Sequence, residues 1–526
     1  MQESTLLFIL LVSIVVIALV AKRFNVPYPI AFVIGGTALA FVPNLPAFRL
    51  DPQWVFLIFL PPLLFAGGWT TDWQAFKDNL RPIGLLAIGL VFFTTAAVGI
   101  VAHALVPELG WAGAFVLGAV ISPPDAVAAG AVFERFSVPR KILAILDGEG
   151  LVNDAVALVI YRFAIAAALT GTFSLAHASL AFGWVAAGGL AIGLAYGYVL
   201  CAATLMLKRF ELSDHLIDNA ISLIGPYAIY LSCEAAGVSG VLGTVAAGVY
   251  VSRKSDRIYS PDARIVLFAL WEFMLFLLNG LVFLLIGLQV REIVRDPAFA
   301  LGEIPIALAI AALVIVVRFV WVYPATYLPR LNRRVREREG VPGWEYTFVV
   351  GWSGMRGIVS LASALAVPLA TASGAPFPGR DAIIFITFVT IFVTLVVQGL
   401  SLIPLLRILK IDAGETLGHR EIEVRVAALQ AGIARLRQLE PGFDSTEEWE
   451  VEGRILGEYE YRIAHLRGHI DGSIDPAAVA FDHRLQEEAI VAERREILRL
   501  RDAGEIPDEI FRTIQYDLDL ANERLN

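Results

Sequence analysis

Residues 111–133 read WAGAFVLGAVISPPDAVAAGAVF, an apolar stretch long enough to cross a bilayer, with two prolines and an aspartate inside it. Pro123 and Pro124 cannot donate backbone hydrogen bonds, so they predict a break in the helix just before Asp125. A broken helix at membrane depth survives only beside other protein or a water-filled cavity. The stretch therefore predicts a helical membrane protein with a polar site at the break.

The composition of the whole chain agrees with a bilayer as its solvent. Of its 526 residues, 57% are hydrophobic and 17% are charged, and the mean hydropathy is +0.69. The long apolar runs fill residues 1–410, whereas residues 411–526 resemble a soluble segment with helical patterns such as EIEVRVAALQAGIARLRQL. We predict a transmembrane domain over 1–410 and a small helical cytoplasmic tail over 411–526. A regulatory tail and a solvated extension without a role both fit this segment.

Apolar runs of suitable length repeat along residues 1–410. We predict thirteen spans, at residues 5–21, 28–43, 53–69, 82–106, 111–134, 142–169, 179–207, 215–236, 238–252, 263–289, 302–328, 345–372 and 380–407. The first run has no basic residue before it, which favours a retained helix over a signal peptide. The fold class expected is an all-α polytopic membrane protein.

The loops between these spans divide sharply by positive charge. One set holds about 18 basic residues, and the other holds only Arg49, Arg291, Arg295 and Arg380. Lys and Arg are enriched in cytoplasmic loops. The asymmetry predicts an external N-terminus and a cytoplasmic tail, with the plasma (inner) membrane as the default location.

An odd number of spans permits two inverted six-span repeats, spans 1–6 and 8–13, joined by span 7. Interrupted helices then occupy corresponding positions, here the fifth span of each half. The twelfth span reads FVVGWSGMRGIVSLASALAVP and has Gly351, Gly354 and Gly357 around Arg356. We therefore expect a second broken helix there, with freed carbonyls at both breaks available as ion ligands.

Three charged side chains, Asp125, Asp154 and Arg356, fall near the middle of predicted spans, and Glu149 lies about one and a half turns below Asp154. A charge at the bilayer centre costs at least about 2.5 kcal/mol on insertion scales, so each requires a partner or a function. We interpret Glu149 and Arg356 as a structural ion pair between the sixth and twelfth spans. Arg318 and Arg162 are interpreted as structural or as extending toward the membrane surface.

The sixth span has one carboxylate that no neighbouring side chain on the same helix face covers. It reads KILAILDGEGLVNDAVALVIYRFAIA, in which Gly150 lies one turn before Asp154 and leaves that side chain uncovered. A hard cation needs several oxygen ligands. The candidate ion-binding residues are Ser122, Pro124, Asp125, Gly150, Asn153 and Asp154. The same carboxylate can bind a proton, and competition between the two ions for one site is sufficient for an exchanger.

Other functions stay open on these residues. Asp125 and Asp154 also fit a structural polar network, a carrier or channel for another solute, or an intramembrane aspartyl protease. A channel needs a continuous polar pore, whereas the polar residues here cluster at one depth. Broken helices with a buried Arg356 favour ion translocation over proteolysis, so we do not expect an enzyme.

The sequence predicts no bound metal and no cofactor. Cys201 and Cys233 lie inside apolar runs and are interpreted as small buried side chains. His465 and His469 are four residues apart, but one such pair is a weak signal for a metal. The tail holds about 26 acidic against 14 basic residues, which argues against nucleic acid and against docking on anionic lipid.

Several motifs resemble those of the sodium/proton exchangers of the monovalent cation:proton antiporter-1 family, particularly its bacterial branch. They are GEGLVNDAVALVIYRF at 148–163, ISPPDAVAAGAVF at 121–133, GMRGIVSLA at 354–362, FLPPLLFAGG at 59–68, WEFMLFLLNGLVFLLIGL at 271–288 and IPDEIFRTIQYDLD at 506–519. The resemblance covers the whole chain and rests on these motifs together.

The resemblance implies exchange of Na⁺, or of K⁺ or Li⁺, for H⁺ by a homodimer. It implies a dimerisation domain and a sliding core domain with two crossed broken helices. It also implies that Asp154 binds the ion, that Asn153 and Asp125 support it, and that Glu149 pairs with Arg356. Asn rather than a second Asp before Asp154 is typical of electroneutral members.

Two positions depart from the family pattern. Many relatives have Ser where this chain has Gly150, and many have Pro where it has Ala126. Both positions lie beside the expected site, so they leave the ion selectivity open.

Overall fold

In the computed structural model, the described residues are 2–43, 51–133, 136, 138–171, 174–212, 214–294, 297–371, 374–411, 416–439, 445–471, 476–503 and 505–523. The chain forms two compact units, Met1–Asp412 and Ala413–Asn526. Helices dominate both units. Among the described residues the only β pairing is a single bridge between Ala370 and Pro376. The predicted all-α class is confirmed.

The first part of the larger unit consists of helices α1 (Gln2–Phe24), α2 (Tyr28–Ala40), α3 (Pro52–Trp54), α4 (Leu60–Thr70), α5 (Trp73–Asp78), α6 (Leu80–Gly84), α7 (Val91–Leu105), α8 (Gly110–Ile121), α9 (Ala126–Phe133), α10 (Arg140–Thr170), α11 (Leu175–Arg209), α12 (His215–Ala235), α13 (Gly240–Ser252) and α14 (Ser255–Ile258). Two π-helical segments, Val55–Phe59 and Leu85–Leu90, join α3 to α4 and α6 to α7. A 3₁₀ turn, Pro107–Leu109, precedes α8.

The second part consists of α15 (Pro261–Leu288), α16 (Val290–Ile293), α17 (Pro297–Tyr327), α18 (Arg333–Glu339), α19 (Trp344–Trp352), α20 (Ile358–Leu365), α21 (Arg380–Val393) and α22 (Gly399–Ile408). A 3₁₀ turn, Leu328–Leu331, follows α17, and a π-helical segment, Thr394–Gln398, joins α21 to α22.

Nine helical stretches in the described part of the chain are long and apolar enough to cross a membrane. They are Pro52–Thr70, Leu80–Leu105, Pro107–Phe133, Arg140–Thr170, Ala178–Arg209, His215–Ala235, Ala263–Ile293, Gly302–Leu331 and Arg380–Ile408. Tyr28–Ala40 and Gly240–Ser252 are shorter apolar helices. The protein is therefore a multi-pass membrane protein, and the total of thirteen spans stays a prediction. Arg49 and Arg295, two of the four basic residues in the charge-poor loops, lie outside the described residues.

Both predicted interruptions are present. The fifth predicted span is divided into α8 and α9 by residues 122–125, which include Pro123 and Pro124. The twelfth is divided into α19 and α20 by residues 353–357, and its second half ends at Leu365, short of the predicted residue 372. Residue 372 lies outside the described residues.

The helices of the larger unit pack in two groups that contact each other at α10 and also through α2 and α15. In one group α2 lies along α15, and α13 lies between α4 and α11. In the other group α8 lies against α7 and α10, and α21 lies against α17. Leu151 and Ala155 of α10 join a cluster with Leu60 and Leu64 of α4 and Val245 of α13, so this cluster connects the groups.

The smaller unit contains α23 (Thr416–Leu439), α24 (Thr446–Asp471), α25 (Pro476–Asp502) and α26 (Asp508–Glu523). Helices α23 and α25 carry the apolar spacing of three and four that predicted them. Ile497, Phe511 and Leu518 are buried together between α25 and α26. This segment therefore has a small apolar core of its own.

Candidate functional site

The first break places a carboxylate at the start of a half-helix. Asp125 caps α9, because its Oδ1 accepts hydrogen bonds from Val127 N at 2.9 Å and from Ala128 N at 3.4 Å. Ser122, which is fully buried, donates its hydroxyl proton to Ala119 O at 3.0 Å. The prolines of the break thus end one half-helix, and Asp125 begins the next.

The two breaks contact each other. Asp125 N donates a hydrogen bond of 2.6 Å to Met355 O in the second break. A Cβ atom at Gly357 would overlap the Asp125 carboxylate, so a residue without a side chain is required at this crossing. The prediction that the interrupted helices cross is therefore consistent with a direct backbone contact between them.

Arg356 satisfies carbonyl groups that the breaks expose. Its Nε donates to Ile121 O at 3.0 Å, its Nη2 to Ser122 O at 3.3 Å, and its Nη1 to Gly354 O. Its own backbone N–H donates to Thr394 Oγ1 at 3.1 Å. Arg356 is only 1% exposed, so its guanidinium links the two breaks from inside the protein.

Asn153 connects α10 to the first break. Its Nδ2 donates a hydrogen bond of 2.8 Å to Pro124 O, a carbonyl near the break. The side chain is completely buried, and within the described part of the chain its Oδ1 has no hydrogen-bond donor. An orphaned buried acceptor is costly unless something else satisfies it, and a cation is one such group.

Asp154 lies next to this acceptor and is half-buried. Over the residues that the structure describes, its carboxylate makes no hydrogen bond and no ion pair, and the charge of Asp125 acts on it. Gly150, one turn away, is in close contact with Ala126, because a Cβ at Gly150 would meet Ala126 Cβ. Among the described residues, Asp154 is therefore a carboxylate without a protein partner, next in sequence to Asn153 with its orphaned amide oxygen.

The predicted ion pair between Glu149 and Arg356 is wrong, because Glu149 pairs with Arg318 instead. Glu149 Oε1 and Oε2 accept hydrogen bonds from Arg318 Nη1 at 2.5 Å and Nη2 at 2.8 Å, and both residues are 1% exposed. Arg318 Nε also donates to Val350 O at 3.1 Å. Arg318 lies next to Glu149 and offers the planar fork that a carboxylate fits, whereas the Arg356 guanidinium is engaged by carbonyls.

Arg318 was therefore missed as the partner of Glu149, although its structural role was expected. The sequence does show Arg318 as an arginine within an apolar span. Its depth in the span alone does not show whether Arg318 or Arg356 pairs with Glu149. Arg162, the other arginine interpreted as structural, pairs with Glu234 of α12 at 2.8 Å in a more exposed position.

A small pocket lies on the side of the break that faces Glu149. Its lining residues are Pro124, Asp125, Ala126, Ala129, Leu146, Glu149, Gly150, Arg318 and Ser353. Of the six candidate ion-binding residues, Pro124, Asp125 and Gly150 line this pocket, and Asn153 is hydrogen-bonded to Pro124. Ser122, in the break, and Asp154, one turn along α10 from Gly150, are not among the lining residues. Oxygen atoms near a carboxylate suit a hard cation rather than a soft metal.

Two broken helices that contact each other at membrane depth are typical of secondary active transporters. The family model described as "Sodium/hydrogen exchanger, transmembrane" matches residues 9–408. The chain therefore belongs to the sodium/hydrogen exchanger family.

Individual relatives agree with this assignment. The chain is 32% identical over 527 residues to the "Sodium, potassium, lithium and rubidium/H(+) antiporter" of Bacillus subtilis, covering 98% of this chain and 77% of that protein. It is 34% identical over 424 residues to the "Low-affinity Na(+)/H(+) antiporter NhaS1" of Synechocystis, covering 79% of this chain and 76% of that protein. The fold is similar to that of the sodium proton antiporter MjNhaP1 from Methanocaldococcus jannaschii, with a TM-score of 0.59 and 16% identity over 78% of this chain and all of that one.

Proposed function

We propose that the protein is a secondary active antiporter that exchanges a monovalent cation for a proton, with Asp154 as the residue that binds both ions. The observation that carries the proposal is the Asp154 carboxylate, which has no partner among the described residues, beside the orphaned Oδ1 of Asn153. Both groups lie where a broken helix frees backbone carbonyls. Such a site binds a cation when Asp154 is ionised and releases it when Asp154 is protonated.

The supporting roles follow from the contacts. Asn153 supplies an amide oxygen and holds the Pro124 carbonyl through its Nδ2. Asp125 adds negative charge near Asp154 while it caps α9. Ser122 and Gly150 shape the surroundings, the first with its hydroxyl and the second by allowing α10 to approach Ala126.

We propose one-for-one, electroneutral exchange. Asp125 already accepts two backbone hydrogen bonds, and Asn153 carries no charge, so Asp154 alone remains to exchange its proton. One carboxylate that carries either one proton or one monovalent cation moves the same charge in both directions.

Na⁺ is the proposed cation, with K⁺ and Li⁺ as alternatives. The relatives that match most of the chain are named as antiporters of sodium, potassium, lithium and rubidium or of sodium alone. The contact between Gly150 and Ala126 changes the wall of the site relative to the family pattern, so the selectivity requires measurement.

The proposed setting is the plasma membrane, with the N-terminus outside and the smaller unit in the cytoplasm. The excess of Lys and Arg in one set of loops supports this orientation. A homodimer is part of the proposal through family resemblance. A regulatory role of the smaller unit is a further part of the proposal.

We assign no enzymatic activity. An intramembrane aspartyl protease needs two carboxylates free to hold one water, and Asp125 is engaged by Val127 N and Ala128 N. Two broken helices that contact each other around Asp154 also fit ion translocation better than peptide hydrolysis.

Proteoliposomes that carry a preset pH gradient and an internal pH dye test the proposal. Addition of Na⁺, K⁺ or Li⁺ to the purified protein is expected to drive proton movement, with Na⁺ effective at the lowest concentration. Proton movement with no dependence on any of these cations would contradict the proposal.

A further inference from the structure

A second carboxylate, Asp147, lies on the same face of α10 as Asp154. The two residues are seven positions apart, which is two helical turns and about 10.5 Å along the axis. Asp147 is exposed, whereas Leu146, Gly148 and Glu149 beside it are buried. Asp147 is thus accessible on the line along the helix that leads to Asp154, although its immediate neighbours are packed against protein.

The residues on either side of that line show where Asp147 points. Leu151 packs with Leu64 of α4, and Gly150 touches Ala126 next to the first break. Asp147 and Asp154 lie between these two contacts around the helix. The face that carries both carboxylates therefore lies between α4 and α9, and the space between these two helices is called the cleft below.

Gly150 and Leu151 occupy the turn between the two carboxylates, and Gly150 places no side chain on its side of the face. Basic residues near the same end of α10 are held elsewhere, since Lys141 Nζ donates to Glu339 O at 2.9 Å and Arg81 pairs with the Glu339 carboxylate. Within the described part of the chain, Asp147 makes no ion pair. Its negative charge is thus available to a mobile cation in the cleft.

We propose that Asp147 is a positioning carboxylate on the cytoplasmic approach to Asp154, which attracts a hydrated monovalent cation into the cleft. The inference rests on the proposed function and orientation, which place the Arg140 end of α10 on the cytoplasmic side. A carboxylate in a narrow cleft raises the local concentration of cations and speeds their arrival, without coordinating the ion at the transport site. It acts on the half-saturating cation concentration rather than on the maximal rate.

The charge at this position can be changed in place. Asp147→Cys introduces a thiol in the cleft, while the native Cys201 and Cys233 are buried and shielded from water-soluble reagents. A methanethiosulfonate with a sulfonate group restores the negative charge, and one with a trimethylammonium group adds a positive charge. Inverted membrane vesicles expose the cytoplasmic face to the reagent and to Na⁺.

We expect Asp147→Cys to raise the half-saturating Na⁺ concentration several-fold at low ionic strength, with the maximal rate retained. The sulfonate reagent should return the half-saturating Na⁺ concentration most of the way to its original value. The ammonium reagent should raise it further. Choline chloride at about 0.5 M should reduce all these differences, because the Debye length becomes shorter than the distance between the carboxylates. Asp256→Cys, at an exposed position of α14, is the matched control and should show no charge effect.

Equal effects of the two reagents, no change in half-saturation, or loss of the maximal rate would each overturn the inference. If Asp147→Cys does not fold, Asp147→Asn and Asp147→Glu provide the same comparison of charge, with rescue expected only for Glu. Absence of exchange in the unmodified protein would contradict the proposed function itself. Exchange that ignores the charge at position 147 would contradict this inference alone.

Discussion

The side-chain amide of Asn153 donates a hydrogen bond of 2.8 Å to the carbonyl oxygen of Pro124, and its own oxygen is buried without a donor in the described residues. This contact joins the helix that carries Asp154 to the break in the neighbouring helix. It also orients the amide, because the nitrogen faces the carbonyl and the oxygen faces the other way. The side-chain amide of Asn153 thus decides which of its atoms is left as a hydrogen-bond acceptor at the candidate site.

Replacement of this amide should therefore affect both stability and transport. Asn153→Ala removes the donor to Pro124 O and leaves a buried carbonyl unsatisfied, which costs about 1–3 kcal/mol. We expect a lower thermal unfolding midpoint of the purified protein and weaker cation dependence of exchange. Full stability and normal half-saturation in Asn153→Ala would show that the amide holds neither the break nor the ion.

The buried pair of Glu149 and Arg318 should be structural. Arg318→Leu leaves the Glu149 carboxylate buried without its partner, and loss of one member of such a pair destabilises by about 3–5 kcal/mol. The double variant Glu149→Leu/Arg318→Leu should be more stable than Arg318→Leu, because no charge is left unpaired. Thermal unfolding and folded yield in detergent measure both effects.

Arg333→Gln is the matched control for this pair. Arg333 pairs with Glu337 at 2.6 Å, but both side chains are mostly exposed, so the loss should be at most about 1 kcal/mol. Equal losses for Arg318→Leu and Arg333→Gln would contradict the structural role of the buried pair.

Arg356 should not tolerate lysine. The guanidinium reaches three carbonyl oxygens, from Ile121, Ser122 and Gly354, with a fork that an ammonium group cannot reproduce. Arg356→Lys keeps the charge but is expected to lower folded yield, measured by size-exclusion chromatography. A stable and fully active Arg356→Lys would show that charge alone matters at this position.

The close contact between Gly150 and Ala126 predicts a compensating pair of substitutions. Gly150→Ala places a Cβ against Ala126 Cβ and should destabilise by about 1–3 kcal/mol through overpacking. Adding Ala126→Gly removes the overlapping atom, so the double variant should recover most of the loss. A thermodynamic cycle over the four proteins measures the coupling. Simple additivity of the two single effects would contradict the contact.

Electroneutral exchange predicts that membrane potential has no effect on rate. Proteoliposomes with valinomycin and a K⁺ gradient provide an inside-positive or inside-negative potential at constant pH gradient. Each is compared with the same K⁺ gradient without valinomycin, because K⁺ is itself an alternative substrate. The initial rate of Na⁺-driven proton movement should be equal in both. A rate that changes in sign or size with the membrane potential would show that each exchange cycle moves net charge, and would contradict electroneutral exchange.

Much of the fold could be predicted because the bilayer imposes simple rules on the sequence. Apolar runs predicted the long helices, and Pro123 and Pro124 predicted the first break because proline cannot donate a backbone hydrogen bond. The glycines around Arg356 predicted the second break for another reason, because glycine loses more conformational freedom in a helix than other residues do. These rules act along one chain segment at a time, so they need no knowledge of neighbouring helices.

The partner of Glu149 could not be predicted by such rules. Position along an apolar span gives the depth of a residue, but it does not give the direction of its side chain relative to other helices. Arg318 and Arg356 both lie inside apolar spans, and only the packing of α17 against α10 and α19 places Arg318 beside Glu149. The resemblance suggested Arg356, whose guanidinium instead binds the carbonyls of the breaks.

The most direct test of the central claim is Na⁺-dependent exchange by Asp154→Asn beside the unmodified protein, in the same proteoliposomes. Asp381→Asn, at a largely exposed carboxylate, is the control. We expect exchange to be abolished in Asp154→Asn and retained in Asp381→Asn, with equal folded yield for all three proteins. Exchange by a folded Asp154→Asn at the unmodified rate would show that Asp154 is not the residue that carries the ions.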